Sequence, residues 1–172
     1  EQVEKLADQY PVYTSDVNDL DSACDMIQQI GTLVQKEQRA EQVVGQIRQE
    51  FSMLPPKPRY RDACYLIWRE PYMTIGGDTF IHDMLRRAGF ENRYGHETRY
   101  PEIALKQLLR DKPAYLLLSS EPYPFKEKHV AEFQSLLPFT KVMLVDGELF
   151  SWYGSRLLKA PSYFKKLMQV TS

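Results

Sequence analysis

Three short, largely apolar runs limit most tightly what this chain can fold into. They are residues 63–68 (Ala-Cys-Tyr-Leu-Ile-Trp), 114–118 (Ala-Tyr-Leu-Leu-Leu) and Lys141–Val145. None alternates apolar with polar residues, as a strand with one wet face would, so each reads as a strand covered on both sides. Amphipathic stretches separate them. Residues 79–88 carry Phe80, Ile81, Met84, Leu85 and Ala88 at helical spacing, and 101–109 and 126–137 read as further helices. A last helix begins near Gly154, with a break expected at Pro161. Asp78 is the expected N-cap of the first of these helices, Gly89 its C-terminal stop, and Pro101 a first-turn residue of the next. Buried strands alternating with helices require an α/β fold whose sheet is mostly parallel.

Ahead of Pro55, Pro56 and Pro58 the pattern is different. Helices are expected over 1–9, 19–33 and 36–53, with Val12-Tyr13-Thr14 as a short strand and Gly31 at or near the end of the second helix. The third carries only a narrow stripe, Ala40, Val43, Val44, Ile47 and Phe51, among Glu, Gln, Arg and Lys. So thin a stripe suits a connector lying along a surface. The expected division is therefore 1–35, a connector helix over 36–54, and an α/β unit over 55–172.

Lys plus Arg number 22 against 23 Asp plus Glu, a balance that gives no electrostatic case for nucleic acid as the partner. Cys24 and Cys64 allow at most one bridge, and their apolar neighbours favour buried free thiols. The sequence has no dinucleotide fingerprint, no phosphate loop, no His-Glu-x-x-His and no nucleophile elbow. Gly76-Gly77-Asp78-Thr79 reads as ordinary entry into a helix, and His82, His96 and His129 are too scattered to suggest a metal site. No catalytic residue, metal ligand or cofactor is expected.

The loops after the three strands say more. They are 69–74 (Arg-Glu-Pro-Tyr-Met-Thr), 119–125 (Ser-Ser-Glu-Pro-Tyr-Pro-Phe) and 146–153 (Asp-Gly-Glu-Leu-Phe-Ser-Trp-Tyr), and each joins aromatics to polar groups at the sheet edge where open α/β folds place ligands. Such a mixture suits a cleft gripping a large, partly flat ligand. The plainer alternative buries Phe125 and Phe150 and leaves only Tyr72, Tyr123, Trp152 and Tyr153 free.

The run 65–89, Tyr-Leu-Ile-Trp-Arg-Glu-Pro-Tyr-Met-Thr-Ile-Gly-Gly-Asp-Thr-Phe-Ile-His-Asp-Met-Leu-Arg-Arg-Ala-Gly, resembles the start of the C-terminal lobe of helical-backbone (class III) substrate-binding proteins of ABC importers for siderophores, haem and cobalamin. The likeness continues through Pro101-Glu102-Ile103-Ala104-Leu105, Lys112-Pro113-Ala114, Ser119-Ser120-Glu121-Pro122, Asp146-Gly147-Glu148-Leu149 and Gly154-Ser155-Arg156. The helix over 36–53 resembles the rod joining two lobes, and Pro11-Val12-Tyr13 with the helix after it resembles the end of the first lobe. The resemblance implies a non-catalytic, periplasmic or membrane-anchored extracytoplasmic protein. It would hold cobalamin or an iron chelate (siderophore or haem) between two lobes and deliver it to a membrane permease. It also implies that 1–35 is the remnant of a first lobe whose remainder is missing, with an exposed edge open to dimerisation. Tyr72, Met73, Tyr123, Glu148 and Trp152 are then the expected ligand residues, with Arg156 by its place before the last helix. Glu127 is the expected permease-docking residue, with Glu121 and Glu132 as its alternatives. Two other readings stay open: a metal-ion receptor of the same architecture, and a small α/β hydrolase-type enzyme using Asp78, Glu121 and Glu148 with the histidines.

Overall fold

The computed structural model describes residues 2–56 and 59–171, so Glu1, Lys57, Pro58 and Ser172 lie outside the described residues. Among the described residues four strands, β1 (Arg61–Leu66), β2 (Phe90–Asn92), β3 (Tyr115–Ser119) and β4 (Lys141–Val145), form one all-parallel sheet in the order β2-β1-β3-β4. The helices are α1 (Gln2–Ala7), α2 (Leu20–Leu33), α3 (Glu37–Ser52), α4 (Phe80–Arg87), α5 (Leu105–Asp111), α6 (Glu127–Leu136), α7 (Glu148–Ser151) and α8 (Ala160–Val170). The expected α/β fold with its parallel sheet is thus present.

Apolar strands bury both faces because side chains alternate across a pleated backbone. Ala63, Tyr65 and Ile67 with Leu117 and Val145 face a core built with α2, α3, α4, α7 and α8. Cys64 and Leu66 with Leu116, Leu118 and Val142 face a second core with Leu108 of α5 and Phe133 of α6. Both cysteines are buried and free. Burial pushes the Cys64 thiol up to about 12, which leaves it protonated and unreactive at neutral pH.

The thin stripe on α3 is buried as expected at Ala40, Val44, Ile47 and Phe51. It packs on α2, where a Cβ at Gly31 would stand 2.4 Å from that of Ala40. Gly31 therefore lies inside a helix that runs on to Leu33, and its lack of a side chain sets how closely the two helices cross. Asp19 and Ser22 form a capping box at the start of α2, and Asp83 of α4 accepts from Leu20 N at 2.9 Å, tying the two helices end to side.

Several local expectations fail for identifiable reasons. Val12-Tyr13-Thr14 finds no neighbouring strand and has no regular structure. The edge strand β2 has no counterpart in the sequence pattern, because a strand of three residues with Glu91 and Asn92 in it has no apolar run to announce it. Thr79, not Asp78, caps α4, accepting from His82 N at 3.2 Å, while Asp78 accepts from Arg99 N. Pro101 is not in a first turn. Its carbonyl accepts from Thr74 N at 3.0 Å, Ile103 N donates to Tyr72 O at 2.9 Å, and α5 starts only after this short pairing ends. A 3₁₀ turn (Ser155–Leu158) precedes α8, whose first turn holds Pro161, so that proline opens a helix rather than breaking one.

Candidate ligand-binding site

Parallel strands all finish at one edge, so the loops after β1, β3 and β4 meet there. Their backbones are joined directly. Ile67 N donates to Met73 O at 3.0 Å, Tyr123 N to Ile67 O at 3.2 Å, and Ser120 N to Val145 O at 3.0 Å. Gly147 N donates to Ser120 Oγ at 2.9 Å. A Cβ at Gly147 would lie 2.3 Å from Ser119 Oγ and 2.7 Å from Glu121 Cγ, so only glycine allows the second and third loops to approach this closely.

Two groups of side chains stand on this platform. In the first, Trp68 and Tyr123 meet edge to face at 5.9 Å, Tyr123 lies 4.7 Å from Phe125, and Tyr72 lies 5.5 Å from Phe133. Tyr72, Met73 and Tyr123 are half-buried, whereas Trp68 is 39% exposed. Phe125 and Phe150 are core residues, as the plainer loop reading had it. Burial raises the Tyr72 phenol above its ordinary value, which keeps it a neutral hydrogen-bonding group.

The second group surrounds Trp152, the most exposed aromatic of the three loops at 53%. Its indole Nε1 donates to Glu121 Oε1 at 2.7 Å, and Ser151 Oγ donates to the same oxygen at 2.6 Å. The Arg156 guanidinium lies 5.9 Å from the Trp152 ring centroid and forms an ion pair with Glu148. Glu148, Trp152 and Arg156 are therefore brought together, whereas Tyr72, Met73 and Tyr123 stand in the first group. Ser120, Glu121, Leu144, Val145, Asp146 and Glu148 line a groove of about 490 Å³ beside them. A larger hollow, about 960 Å³, lies at the opposite end of the sheet around Arg61, Asp62, Ala114 and Tyr115, away from all three loops.

The expected docking acids are separate. Glu127 opens α6, is exposed, and among the described residues forms no ion pair. Glu132 binds Arg69 at 2.8 Å, and Glu121 faces Trp152. His129 is buried beside Tyr123 and Phe125, and its Nδ1 accepts from Lys126 N at 2.9 Å. His82 contacts Asn92, and His96 lies beside Glu97. Among the described residues no three His, Cys, Asp or Glu side chains converge as metal ligands. Trp68 and the Glu121–Trp152 contact were missed in the sequence. Trp68 was legible as the aromatic that ends an apolar run at the ligand edge; a contact across 31 positions carries no sequence signal.

The profile of the periplasmic binding protein family matches residues 1–137. The chain belongs to this family. Solved structures carry the same fold. A possible iron-binding (periplasmic solute-binding) protein from Staphylococcus epidermidis superimposes with a TM-score of 0.77 at 18% identity, over 96% of this chain and 69% of that one. The periplasmic vitamin B12 binding protein BtuF of Vibrio cholerae gives 0.71 at 16%, over 98% and 69%. The periplasmic haem binding protein HutB of Vibrio cholerae gives 0.70 at 20%, over 96% and 71%. No curated protein sequence matches the chain. As the family's name implies, its members are extracytoplasmic solute-binding proteins, and among the described residues no helix is long and apolar enough to cross a membrane.

Proposed function

We propose that this chain is the solute-binding component of an ABC importer, taking cobalamin or an iron chelate (siderophore or haem) and passing it to a membrane permease. The observation that carries this reading is a solvent-facing indole on the ligand edge of a periplasmic binding protein fold, with aromatic and polar groups from three loops around it. Tyr72, Met73, Tyr123, Glu148, Trp152 and Arg156 form the ligand face, joined by Trp68. Flat π surface suits a corrin, a porphyrin or an aromatic chelate, and the Glu148–Arg156 pair suits the polar rim of such a ligand. The α3 helix serves as the connector between lobes, with 1–35 on its first-lobe side and 55–172 as the second lobe. Titration of the protein with cyanocobalamin, haemin and a ferric hydroxamate in turn, followed by tryptophan quenching, tests the reading. One of the three is expected to saturate the signal, and Trp152→Ala is expected to weaken it by about 2 kcal/mol. A protein that binds none of the three has a different cargo.

A further inference from the structure

Glu121 occupies an unusual place for an acid on a rim open to solvent. Its backbone carbonyl accepts from the Ser119 hydroxyl, which in turn accepts from the fully buried Tyr65 hydroxyl at 3.1 Å. The residue is thus anchored from inside the sheet. Its side chain crosses to the third loop, where one oxygen, Oε1, receives both the Ser151 hydroxyl and the Trp152 indole N–H. Glycine at 147 leaves the room for that crossing. An exposed indole ordinarily samples several rotamers, and ordering it on binding costs affinity. Here its N–H is held by a carboxylate, a stronger bond than a neutral acceptor makes, and one face is taken by Arg156.

We infer that Glu121 is a positioning residue: it locks the Trp152 indole in advance, so that the ring face not covered by Arg156 is presented to the ligand. The inference rests on the proposed ligand role of Trp152, and it gives Glu121 a task within the cleft rather than at the permease. Pre-organisation of this kind raises affinity without any contact between Glu121 and the ligand.

The test separates the two readings. In a Trp68→Phe background, Trp152 is the sole tryptophan, and its fluorescence anisotropy and near-UV circular dichroism report how firmly the ring is held without any ligand. Glu121→Ala should lower both, while Glu121→Gln, which keeps an acceptor oxygen, should retain most of each signal. Cyanocobalamin, haemin and the ferric hydroxamate are then titrated against the same variants, keeping the probe that binds the parent. Glu121→Ala should weaken it roughly tenfold and Glu121→Gln less than that. In a Trp152→Phe background, which removes the indole N–H, Glu121→Ala should cost nothing further. If Glu121→Ala does not fold, Glu121→Asp, one methylene too short, replaces it with the same expectations. Signals from Trp152 that equal the parent's in a folded variant overturn the inference. So does a loss of affinity that persists undiminished in the Trp152→Phe background, because Glu121 would then act elsewhere. If no probe binds the parent but the ring is freed by Glu121→Ala, the positioning role stands and the proposed cargo falls.

Discussion

At the scale of single residues, the start of α6 joins two side chains with different tasks. His129 is buried, and burial first, then the charges of Arg69 and Lys128, lower its pKa below the ordinary value; Glu132 opposes and Lys126 adds to that lowering. The folded protein therefore takes up the His129 proton at a lower pH than the unfolded chain does. Below about pH 6.5 the unfolded state binds more protons, so stability falls as pH falls. His129→Asn keeps an acceptor for Lys126 N and removes the titration. Urea unfolding at about pH 7.5 and about pH 5 should show a smaller drop for the variant than for the parent; equal drops would take His129 out of the account. Two positions earlier, Glu127 is proposed as the docking acid. A carboxylate in the first turn is favoured by the helix dipole, and an exposed one offers two oxygens to an incoming Arg. Glu127→Lys should leave ligand affinity unchanged while transport and ATPase stimulation fall, with partial rescue by an Arg→Glu change on the permease; normal transport by the variant removes Glu127 from the role. The proximity of Glu148, Trp152 and Arg156 was legible at this scale because all three lie within one loop and the turn after it. The carboxylate holding Trp152 was not, since the contact arises only when two strand ends are brought side by side.

At the scale of elements, legibility followed the strength of the local signal. β1, β3 and β4 could be read because the covered part of each is a largely apolar run, and α3 because its stripe from Ala40 to Phe51 keeps helical register over about three turns. β2 depends on pairing with β1, and the late start of α5 depends on the pairing of 101–103 with 72–74, neither of which the local pattern encodes. Gly31 shows a related limit: it lies near the end of α2 as its sequence suggests, but its use in a close helix crossing has no local signal. Gly31→Ala gains about 1 kcal/mol of helix propensity but drives a Cβ to 2.4 Å from that of Ala40. Overpacking at such a contact costs about 1–3 kcal/mol, so the variant should be less stable than the parent. Ala40→Gly reopens the space, and a double-mutant cycle by urea denaturation should show a favourable coupling between the two changes. Additive effects would mean that α2 and α3 shift apart at no cost.

At the scale of the whole molecule, the two ends of the chain treat apolar surface differently. Around the sheet, large apolar side chains fill two continuous cores. Before Gln35, by contrast, Val3, Leu6, Tyr10, Val12, Tyr13, Ile30, Leu33 and Val34 are all exposed, with Leu33 at 63% and Tyr10 at 62%. Tyr13 lies over α2, its hydroxyl donating to Gln29 Oε1 at 2.8 Å, so the extended stretch and the end of that helix share one side. Isolated exposed apolar residues are ordinary on protein surfaces, but a concentration of them along one segment of the chain favours association. We expect this surface to bring two copies together as concentration rises, since the near-neutral charge balance offers little repulsion to oppose contact. Sedimentation velocity across a concentration series is the measurement. The parent should shift toward dimer, and a variant carrying Leu6→Glu, Tyr10→Glu and Leu33→Glu should stay monomeric over the same range. Those three side chains are already in water, so the substitutions should change unfolding stability by no more than about 0.5 kcal/mol each. A parent that sediments as a monomer throughout would show that this apolar surface is tolerated in water.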